Sequence, residues 1–343
     1  MTNKTPMIMN SKISDITVPN RANEKGFMTF LDSQLNTYYS IHQVGPDSTF
    51  GCTIPSRQEV LARPQCAEYI SSTLNRFLAA LDVSDKIRPG LVKQILEIAK
   101  QEIDDSWYEE ATHNLLSKNA SSIAQDMALE DRSHRIFKQL SPYIVKGETL
   151  DYGCGDARVA KLINNFQGGV TLADVYQHSS ITRTEMEFVI LASAGSVPLP
   201  SARFDNVLLC TVLHHAEHPL ETLNEAIRVT KPDGRILIIE SVYGVDLNVG
   251  TKTPQSPVAT AFLGLSEEDQ LAVNSFFDHL YNRCLYYSSE PTTKVNVPYN
   301  YKSPRGWQET IESVGLRLGA FVPLGIDQPL GPLFHVLYVA VKP

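Results

Sequence analysis

The order of apolar and amphipathic segments after Glu148 is the strongest constraint that this sequence places on its fold. Short apolar runs of strand length alternate with segments whose apolar residues recur at helical spacing. The runs that predict strands are Thr149–Tyr152, Gly169–Asp174, Phe204–Cys210 and Gly234–Glu240, and the helical segments are Ala157–Asn165 and Pro219–Val229. Alternation of this kind predicts a parallel sheet with helices on both faces.

Two more apolar runs and a long insertion follow. Leu316–Val322 and Phe334–Val341 predict an antiparallel hairpin that closes the sheet, because a Gly/Pro-rich turn joins them. Before them lies an insertion over residues 243–307, with a predicted helix at Glu267–Leu285 and an aromatic-rich stretch after it. An insertion of this size after the strand Gly234–Glu240 is typical of a segment that helps to form a substrate pocket.

The chain before this α/β segment is predicted to be helical. Apolar residues recur at spacings of three and four in Arg57–Leu81 and Leu91–Ile103, and Ser121–Tyr143 adds further helix. The predicted division is a flexible tail over residues 1–20, a helical cap over 21–132 and an α/β domain over 133–343. The cap is interpreted either as a lid that excludes water or as the surface of a homodimer.

Composition argues against several classes of partner. The formal net charge is −8 and no run of Lys and Arg is present, which argues against nucleic acid. The five cysteines are widely spaced and include no CxxC pair, so we expect a reducing compartment rather than disulfides or a zinc site. The first residues lack the apolar core of a secretory signal, and no run of about eighteen apolar residues occurs. We therefore expect a cytoplasmic protein without a membrane span.

The first predicted strand runs directly into a glycine turn, Asp151-Tyr152-Gly153-Cys154-Gly155, and then into a helix. Neither glycine carries a side chain, so a ligand can lie against the backbone, and the helix N-terminus offers it free N–H groups. About twenty residues later the second strand ends at Asp174, where an acid can bind the two hydroxyls of a ribose. The third glycine of dinucleotide-binding domains is absent, which argues against that kind of Rossmann domain.

These motifs resemble the class I S-adenosylmethionine (SAM)-dependent methyltransferase superfamily, and the resemblance extends over residues 133–343. The stretches Ser196–Pro200, Cys210–His215 and Ile227–Gly234 are similar to its later motifs. The resemblance implies a seven-stranded Rossmann-like fold that binds SAM and no metal. It assigns the SAM contacts to Asp151, Gly153, Cys154, Gly155, Asp174, Val175, Gly195, Ser196 and Cys210. In many relatives an acid a few residues before the stretch that corresponds to Ser196–Pro200 contacts adenine, whereas this chain has Ser193 at that position.

The sulfonium of SAM activates its attached carbons, which leaves two reactions open. In the first, a nitrogen or oxygen atom of a small metabolite takes the methyl group, and the enzyme supplies orientation and a base. The candidate bases are His214 and His215, at the end of the predicted strand Phe204–Cys210, although each can instead be a structural histidine. The Asn/Asp-Pro-Pro-Tyr tetrad of nucleic-acid methyltransferases is absent at this place.

In the second reaction, the α-amine of SAM attacks its own γ-carbon, closes azetidine-2-carboxylate and expels methylthioadenosine. The helical cap, the insertion, Tyr176 and the Asn300-Tyr301 pair resemble the bacterial azetidine-2-carboxylate synthases. That resemblance implies catalytic roles for Tyr176, Asn300 and Tyr301. Their aromatic rings would stabilise the sulfonium, and Asn300 would orient the amine.

Three charged or titratable residues, Arg132, His134 and Arg135, precede the first strand, close to the expected position of the SAM carboxylate. We assign Arg135 to that carboxylate, because a guanidinium can bind it through two hydrogen bonds. Solvent exposure is the alternative for each arginine. A SAM-binding protein without catalytic activity is the third functional alternative beside the two reactions.

Overall fold

The sheet combines parallel strands with a closing antiparallel pair, as the alternating pattern predicts. A computed structural model describes residues 54–192, 195–245, 256–290, 293–326 and 332–343. Within these ranges seven strands pair in the order β3-β2-β1-β4-β5-β7-β6. The strands are β1 Thr149–Tyr152, β2 Val170–Asp174, β3 Glu187–Ile190, β4 Phe204–Cys210, β5 Thr230–Ser241, β6 Arg317–Gly325 and β7 His335–Val341.

Strand direction places the carboxyl ends of the first five strands at one edge. Strands β1 to β5 are parallel, whereas β7 runs antiparallel to both β5 and β6. This topology confirms the Rossmann-like methyltransferase fold. In such open sheets the ligand binds beyond the carboxyl ends of the strands.

The sequence pattern did not predict β3. Both its ends, Glu187 and Ile190, are exposed, with Ile190 at 52% of its full exposure. An edge strand of this kind buries too little apolar surface to show the alternation by which strands are recognised. β5 also begins earlier than expected, because Thr230 already pairs with Phe204 of β4.

Helices cover the sheet and form the insertion. The cap helices are α1 Arg57–Ala62, α2 Pro64–Ala80, α3 Arg88–Ala99, α4 Asp105–Asn119 and α5 Ser122–Leu140. Those that follow are α6 Arg158–Gln167, α7 Pro219–Val229, α8 Pro257–Leu263, α9 Glu267–His279 with a π-helical extension over Leu280–Leu285, and α10 Pro304–Ser313. No helix of the described ranges is long and apolar enough to cross a membrane.

One predicted helix is divided in the structure, and another runs through a predicted domain boundary. The segment Arg57–Leu81 is interrupted at Arg63, because Pro64 lacks the N–H that a continuous helix needs and instead starts α2. Helix α5 continues without a break through residues 132 and 133, where the sequence placed a domain boundary. The predicted tail, residues 21–53 of the cap and Ser193 lie outside the described residues.

The cap and one face of the sheet share a hydrophobic core. Phe77 and Ile95 of the cap, Phe262 and Phe277 of the insertion, and Val207 of β4 belong to one continuous cluster of buried side chains. A second cluster lies on the opposite face, under α5 and α6. Since apolar burial is the main favourable term in folding, the cap and the insertion are held against the sheet by the same core.

Candidate functional site

The glycine turn has the backbone conformation that its sequence predicts. Gly153, Gly155 and Ala157 have φ values of 81°, 52° and 61°, which lie in the left-handed region. A side chain at Gly153 would also collide with the loop after β4, since its Cβ would lie 2.5 Å from Cγ2 of Val212. A Cβ added at Gly155 would meet no atom within 4 Å. The turn therefore packs against the β4 loop on one side and is accessible on the other.

Asp174 connects the end of β2 to the glycine turn. Its Oδ2 accepts a hydrogen bond of 2.8 Å from the N–H of Gly155, and its Oδ1 accepts one of 2.7 Å from the N–H of Val175. The side chain of Val175 beyond it is 64% exposed. Burial raises the pKa of Asp174, although the backbone N–H groups oppose that shift. The structure thus brings together Gly155, Asp174 and Val175, three of the residues assigned to SAM.

Asp151 lies beneath the turn and is 3% exposed. Burial raises its pKa to about 7, and the charges of Asp174 and Asp156 contribute to the same shift. Cys154 and Cys210 adjoin this acidic group, and burial raises the pKa of both thiols, so both remain protonated at neutral pH. A buried group of acids at the carboxyl ends of β1 and β2 suits a ligand that carries positive charge.

Glu240, at the end of β5, organises the loop after β4. Its Oε1 accepts hydrogen bonds from the N–H groups of Val212 at 3.0 Å and Leu213 at 2.6 Å. Its Oε2 lies 2.5 Å from Nδ1 of His214. Glu240 has no exposed surface, and the side chain of His214 is 2% exposed. The carboxylate therefore fixes both the backbone of this loop and the orientation of the first histidine.

A second buried carboxylate, Asp278 of α9, faces both histidines. Its Oδ1 lies 3.8 Å from Nε2 of His214 and 3.5 Å from Nε2 of His215. Burial alone would lower the pKa of His214, but Glu240 and Asp278 raise it to about 10. His214 is therefore a cation held between two carboxylates, as expected of a structural histidine.

His215 differs from its neighbour in protonation and in exposure. Burial lowers its pKa, and the adjacent charge of His214 lowers it further. Its Nδ1 donates a 2.8 Å hydrogen bond to the carbonyl oxygen of Asn296, which leaves the Nε2 lone pair on the side of Asp278. Its side chain is 20% exposed. A neutral and partly accessible imidazole at this edge can act as a general base.

The insertion places Asn300 and Tyr301 at the same edge. The backbone N–H of Asn300 donates to the carbonyl of His214 at 3.2 Å, and its Nδ2 donates to the carbonyl of Ala216 at 2.7 Å. The ring of Tyr301 stacks on His214 with the ring centroids 5.1 Å apart. The structure thus brings together four of the five predicted catalytic residues: His214, His215, Asn300 and Tyr301.

Tyr176, the fifth predicted catalytic residue, lies beside the glycine turn. Burial raises the pKa of its hydroxyl, and the charges of Asp174 and Asp156 raise it further, which places it near these acids. Gly195 and Ser196 lie beyond β3, where the carbonyl of Gly195 accepts a hydrogen bond from the hydroxyl of Tyr152. The catalytic role of Tyr176 and the SAM contacts of Gly195 and Ser196 remain predictions.

The basic residues before β1 separate into two groups. Arg132 and Arg135 line a small cavity with Gln139 and the buried His335. The charge of Arg132 acts on Cys210 at the end of β4, so this guanidinium lies near the ligand edge of the sheet. His134 is exposed, its Nδ1 lies 2.9 Å from the backbone carbonyl of Glu130, and it does not line this cavity.

Sequence reasoning missed Glu240 and Asp278. Glu240 ends a predicted strand, but an acid at that point has no distinctive spacing. Asp278 lies in a helical segment whose pattern does not show which element the helix will meet. With His214 and His215, Asp278 forms a group whose donor atoms lie within 4.8 Å of one another and could hold a metal ion; only the described residues define this group. The expectation of no metal stays a prediction.

Comparison with known proteins finds similarity to methyltransferases. A family model for a methyltransferase domain matches residues 150–238, which include the glycine turn, Asp174 and the β4 loop. A Mycobacterium tuberculosis protein named as a probable S-adenosylmethionine-dependent methyltransferase is 24% identical over 175 residues, or 49% of this chain and 63% of that protein. An uncharacterized protein of Methanocaldococcus jannaschii is 34% identical over 112 residues, or 32% of this chain and 53% of its own. The chain thus spans less than two thirds of these curated relatives' length.

One solved structure illustrates the structural likeness. Phosphoethanolamine N-methyltransferase 2 of Haemonchus contortus superposes with a TM-score of 0.42 and 15% identity, covering 62% of this chain and 53% of that one. The family match and the curated relatives confirm the resemblance to the class I SAM-dependent methyltransferase superfamily. The finer resemblance to azetidine-2-carboxylate synthases stays a prediction.

Replacing Asp174 tests the assigned cofactor site. We expect Asp174→Ala to weaken SAM binding roughly tenfold to a hundredfold, since hydrogen bonds to a charged group contribute about 1.5–3 kcal/mol. Isothermal titration calorimetry measures the affinity, and Glu185→Ala, which removes an exposed acid just before β3, at the opposite edge of the sheet, is the control. An affinity for SAM equal to that of the control would remove Asp174 from the site.

The pKa of Asp151 predicts a dependence of stability on pH. The native pKa of about 7 lies above the ordinary value of 3.8 for this side chain, so the folded state binds the proton more tightly. Stability from this group is complete below about pH 4 and is lost as the pH rises to 7. The free energy of unfolding of Asp151→Asn, relative to the unsubstituted protein, should therefore rise by roughly 4 kcal/mol between pH 4 and 8.

Urea titrations of the SAM-free protein across this pH range measure the difference. Asp131→Asn, an exposed substitution on α5, is the control and should show no such change. Parallel stability curves for Asp151→Asn and the unsubstituted protein would mean that the pKa of Asp151 is the same in the native and unfolded states, which contradicts the raised native pKa.

Proposed function

We propose that this protein is a SAM-dependent enzyme that transfers the methyl group to a nitrogen or oxygen atom of a small metabolite. The observation that carries the proposal is His215, a neutral and partly exposed imidazole whose Nδ1 is engaged by Asn296. A nucleophile that attacks the methyl carbon loses a proton, and His215 Nε2 can accept it. The remaining contribution of the site is to hold the nucleophile in line with the methyl–sulfur bond.

The proximity of His215 to the assigned SAM site supports this role. Gly153 of the glycine turn meets Val212 so closely that no side chain fits between them, and Val212 is three residues before His215. The methionine part of SAM, lying along the glycine turn, would therefore lie beside the loop that carries the base. The net charge of −8 favours a small molecule over nucleic acid as the acceptor.

The cyclisation of SAM is a second candidate, and the position of Asn300 and Tyr301 favours it. In this reaction the α-amine nitrogen forms a bond to the γ-carbon while the γ-carbon–sulfur bond breaks, and the amine proton passes to a base. Nδ2 of Asn300 donates a hydrogen bond to the carbonyl of Ala216, so its side-chain oxygen can accept a hydrogen bond from an amine. Tyr176 is in the acidic group around Asp174, where its ring can meet a sulfonium.

The products formed from SAM alone distinguish the two candidates. The purified protein is incubated with SAM and no acceptor, and the products are identified by mass spectrometry, with Asp174→Ala as the control. Intact SAM is the expected result, followed by S-adenosylhomocysteine when a mixture of small amines, acids and alcohols is added. Methylthioadenosine with a four-carbon cyclic amino acid would overturn methyl transfer and establish cyclisation. Bound SAM that is consumed in neither assay would establish the non-catalytic alternative.

Substitution of His215 tests the proposed base. We expect His215→Asn to lower kcat by about 10²- to 10⁴-fold, the usual contribution of a general base, while SAM affinity stays unchanged. The control is His218→Asn, an exposed histidine in the same loop, which should keep full activity. Equal kcat values for the two variants would exclude His215 as the base.

A further inference from the structure

Glu109 is a cap residue whose carboxylate is fully buried among cations from the insertion. It lies on α4 and has no exposed surface. Its Oε1 lies 2.9 Å from Nη2 of Arg283 and 3.2 Å from Nε2 of His279, and its Oε2 lies 2.6 Å from Nζ of Lys294. Burial alone would raise the pKa of Glu109, but His279, Lys294 and Arg283 hold it below its usual value.

This arrangement makes the contact between cap and insertion specific. A buried carboxylate is costly unless opposite charges surround it. Its three partners, the cations Arg283 and Lys294 and the ring of His279, all come from α9 and the segment after it. An apolar contact would tolerate sliding of α4 over the insertion. The ion pairs permit one relative position, because only there does each carboxylate oxygen meet a cation.

His279 extends this contact toward the ligand edge of the sheet. Nε2 of His279 contacts Oε1 of Glu109 at 3.2 Å, without the geometry of a hydrogen bond. The other ring nitrogen, Nδ1, lies 2.6 Å from the hydroxyl of Tyr299. The two rings are nearly parallel, with 19° between their planes. A single chain of contacts therefore runs from Glu109 through His279 to Tyr299.

Tyr299 has a backbone conformation that requires such support. Its φ is +56°, in the left-handed region, which costs an ordinary L-residue roughly 1–2 kcal/mol. Its carbonyl accepts a 2.7 Å hydrogen bond from the N–H of Tyr301, which closes a tight turn around Asn300. Asn300 is held on the opposite side by the carbonyls of His214 and Ala216. The turn is therefore fixed from the cap on one side and from the β4 loop on the other.

Helix α9 joins the two sides. Consecutive residues of a helix point about 100° apart, so Asp278 and His279 face different neighbours. Asp278 faces His214 and His215, whereas His279 faces Glu109. A shift of the cap would move His279, and with it both Tyr299 and the helix that carries Asp278.

We propose that Glu109 is a positioning residue: through His279 and Tyr299 it sets the geometry of Asn300 and Tyr301, so that docking of the cap and completion of the site are one event. Its effect on turnover rests on the proposed function, whereas its effect on the Tyr299 turn does not. As a positioning residue, Glu109 would touch no reacting atom. Its removal should therefore alter kcat far more than the affinity for SAM.

The test compares Glu109→Gln with Glu110→Gln, which removes the same charge from an exposed position on the same helix. Hydrogen–deuterium exchange of residues 293–303 is measured without SAM, and kcat and the SAM dissociation constant are measured separately. For Glu109→Gln we expect faster exchange in this segment and a kcat lowered by roughly tenfold to a hundredfold, with SAM affinity changed by less than about threefold. Glu110→Gln should match the unsubstituted protein in each measurement.

Two further variants keep the proposal testable if Glu109→Gln does not fold. Tyr299→Phe removes only the hydroxyl that meets His279 and should reproduce the faster exchange, while Glu109→Asp should restore part of the protection. In the double variant the effects of Glu109→Gln and Tyr299→Phe should be less than additive, because both break one chain of contacts.

The positioning role would be overturned if hydrogen exchange in residues 293–303 were unchanged in both Glu109→Gln and Tyr299→Phe. It would also be overturned if the effects of these two substitutions on exchange were fully additive in the double variant. Exchange requires neither SAM nor turnover. If the protein proves to be inactive toward SAM, the exchange measurement still decides the role of Glu109. If exchange is unaffected while turnover proceeds, the proposed function stands and the positioning role fails.

Discussion

The geometry of the candidate site depends on the carboxylate of Glu240. This group is buried at the end of β5 and accepts hydrogen bonds from two backbone N–H groups and from His214 in the loop after β4. That loop contacts the glycine turn at Gly153 and supplies the carbonyls that hold Asn300. A buried acceptor that satisfies successive N–H groups removes the alternatives open to a loop, because each lost hydrogen bond would leave a buried polar group unpaired.

Acidic groups dominate the ligand edge of this sheet. Asp151 and Asp174 lie at the ends of β1 and β2, and Asp278 faces the loop after β4 from the insertion. Their negative charge is only partly balanced by the cationic His214. SAM carries a sulfonium and an ammonium group, so the charge of the edge is complementary to the cofactor that the resemblance implies. Arg132 and Arg135 line a small cavity with His335, and the assignment of Arg135 to the carboxylate of SAM stays a prediction.

The helical cap is connected to the site by both apolar and ionic contacts. The shared hydrophobic core fixes its general position, since the same cluster includes residues of the cap, the insertion and the sheet. The ion pairs of Glu109 with Arg283 and Lys294 then select one docking geometry. This division is common in protein interfaces, where apolar burial supplies the free energy and charge pairs supply the specificity.

The sequence by itself determined the strands other than β3, the glycine turn and the position of Asp174, because these follow from short-range patterns: apolar runs, helical spacing and glycines with positive φ. It also brought His214, His215, Asn300 and Tyr301 to attention through the superfamily and cyclase resemblances. Only the tertiary structure decided which histidine is a cation and which is neutral, since that difference depends on Glu240 and Asp278, which lie 26 and 64 residues away from His214. The role of Glu109 was equally inaccessible, because burial among cations from a distant segment leaves no periodicity in the chain. Local patterns specify local structure, whereas protonation and docking depend on contacts that exist only after the chain has folded.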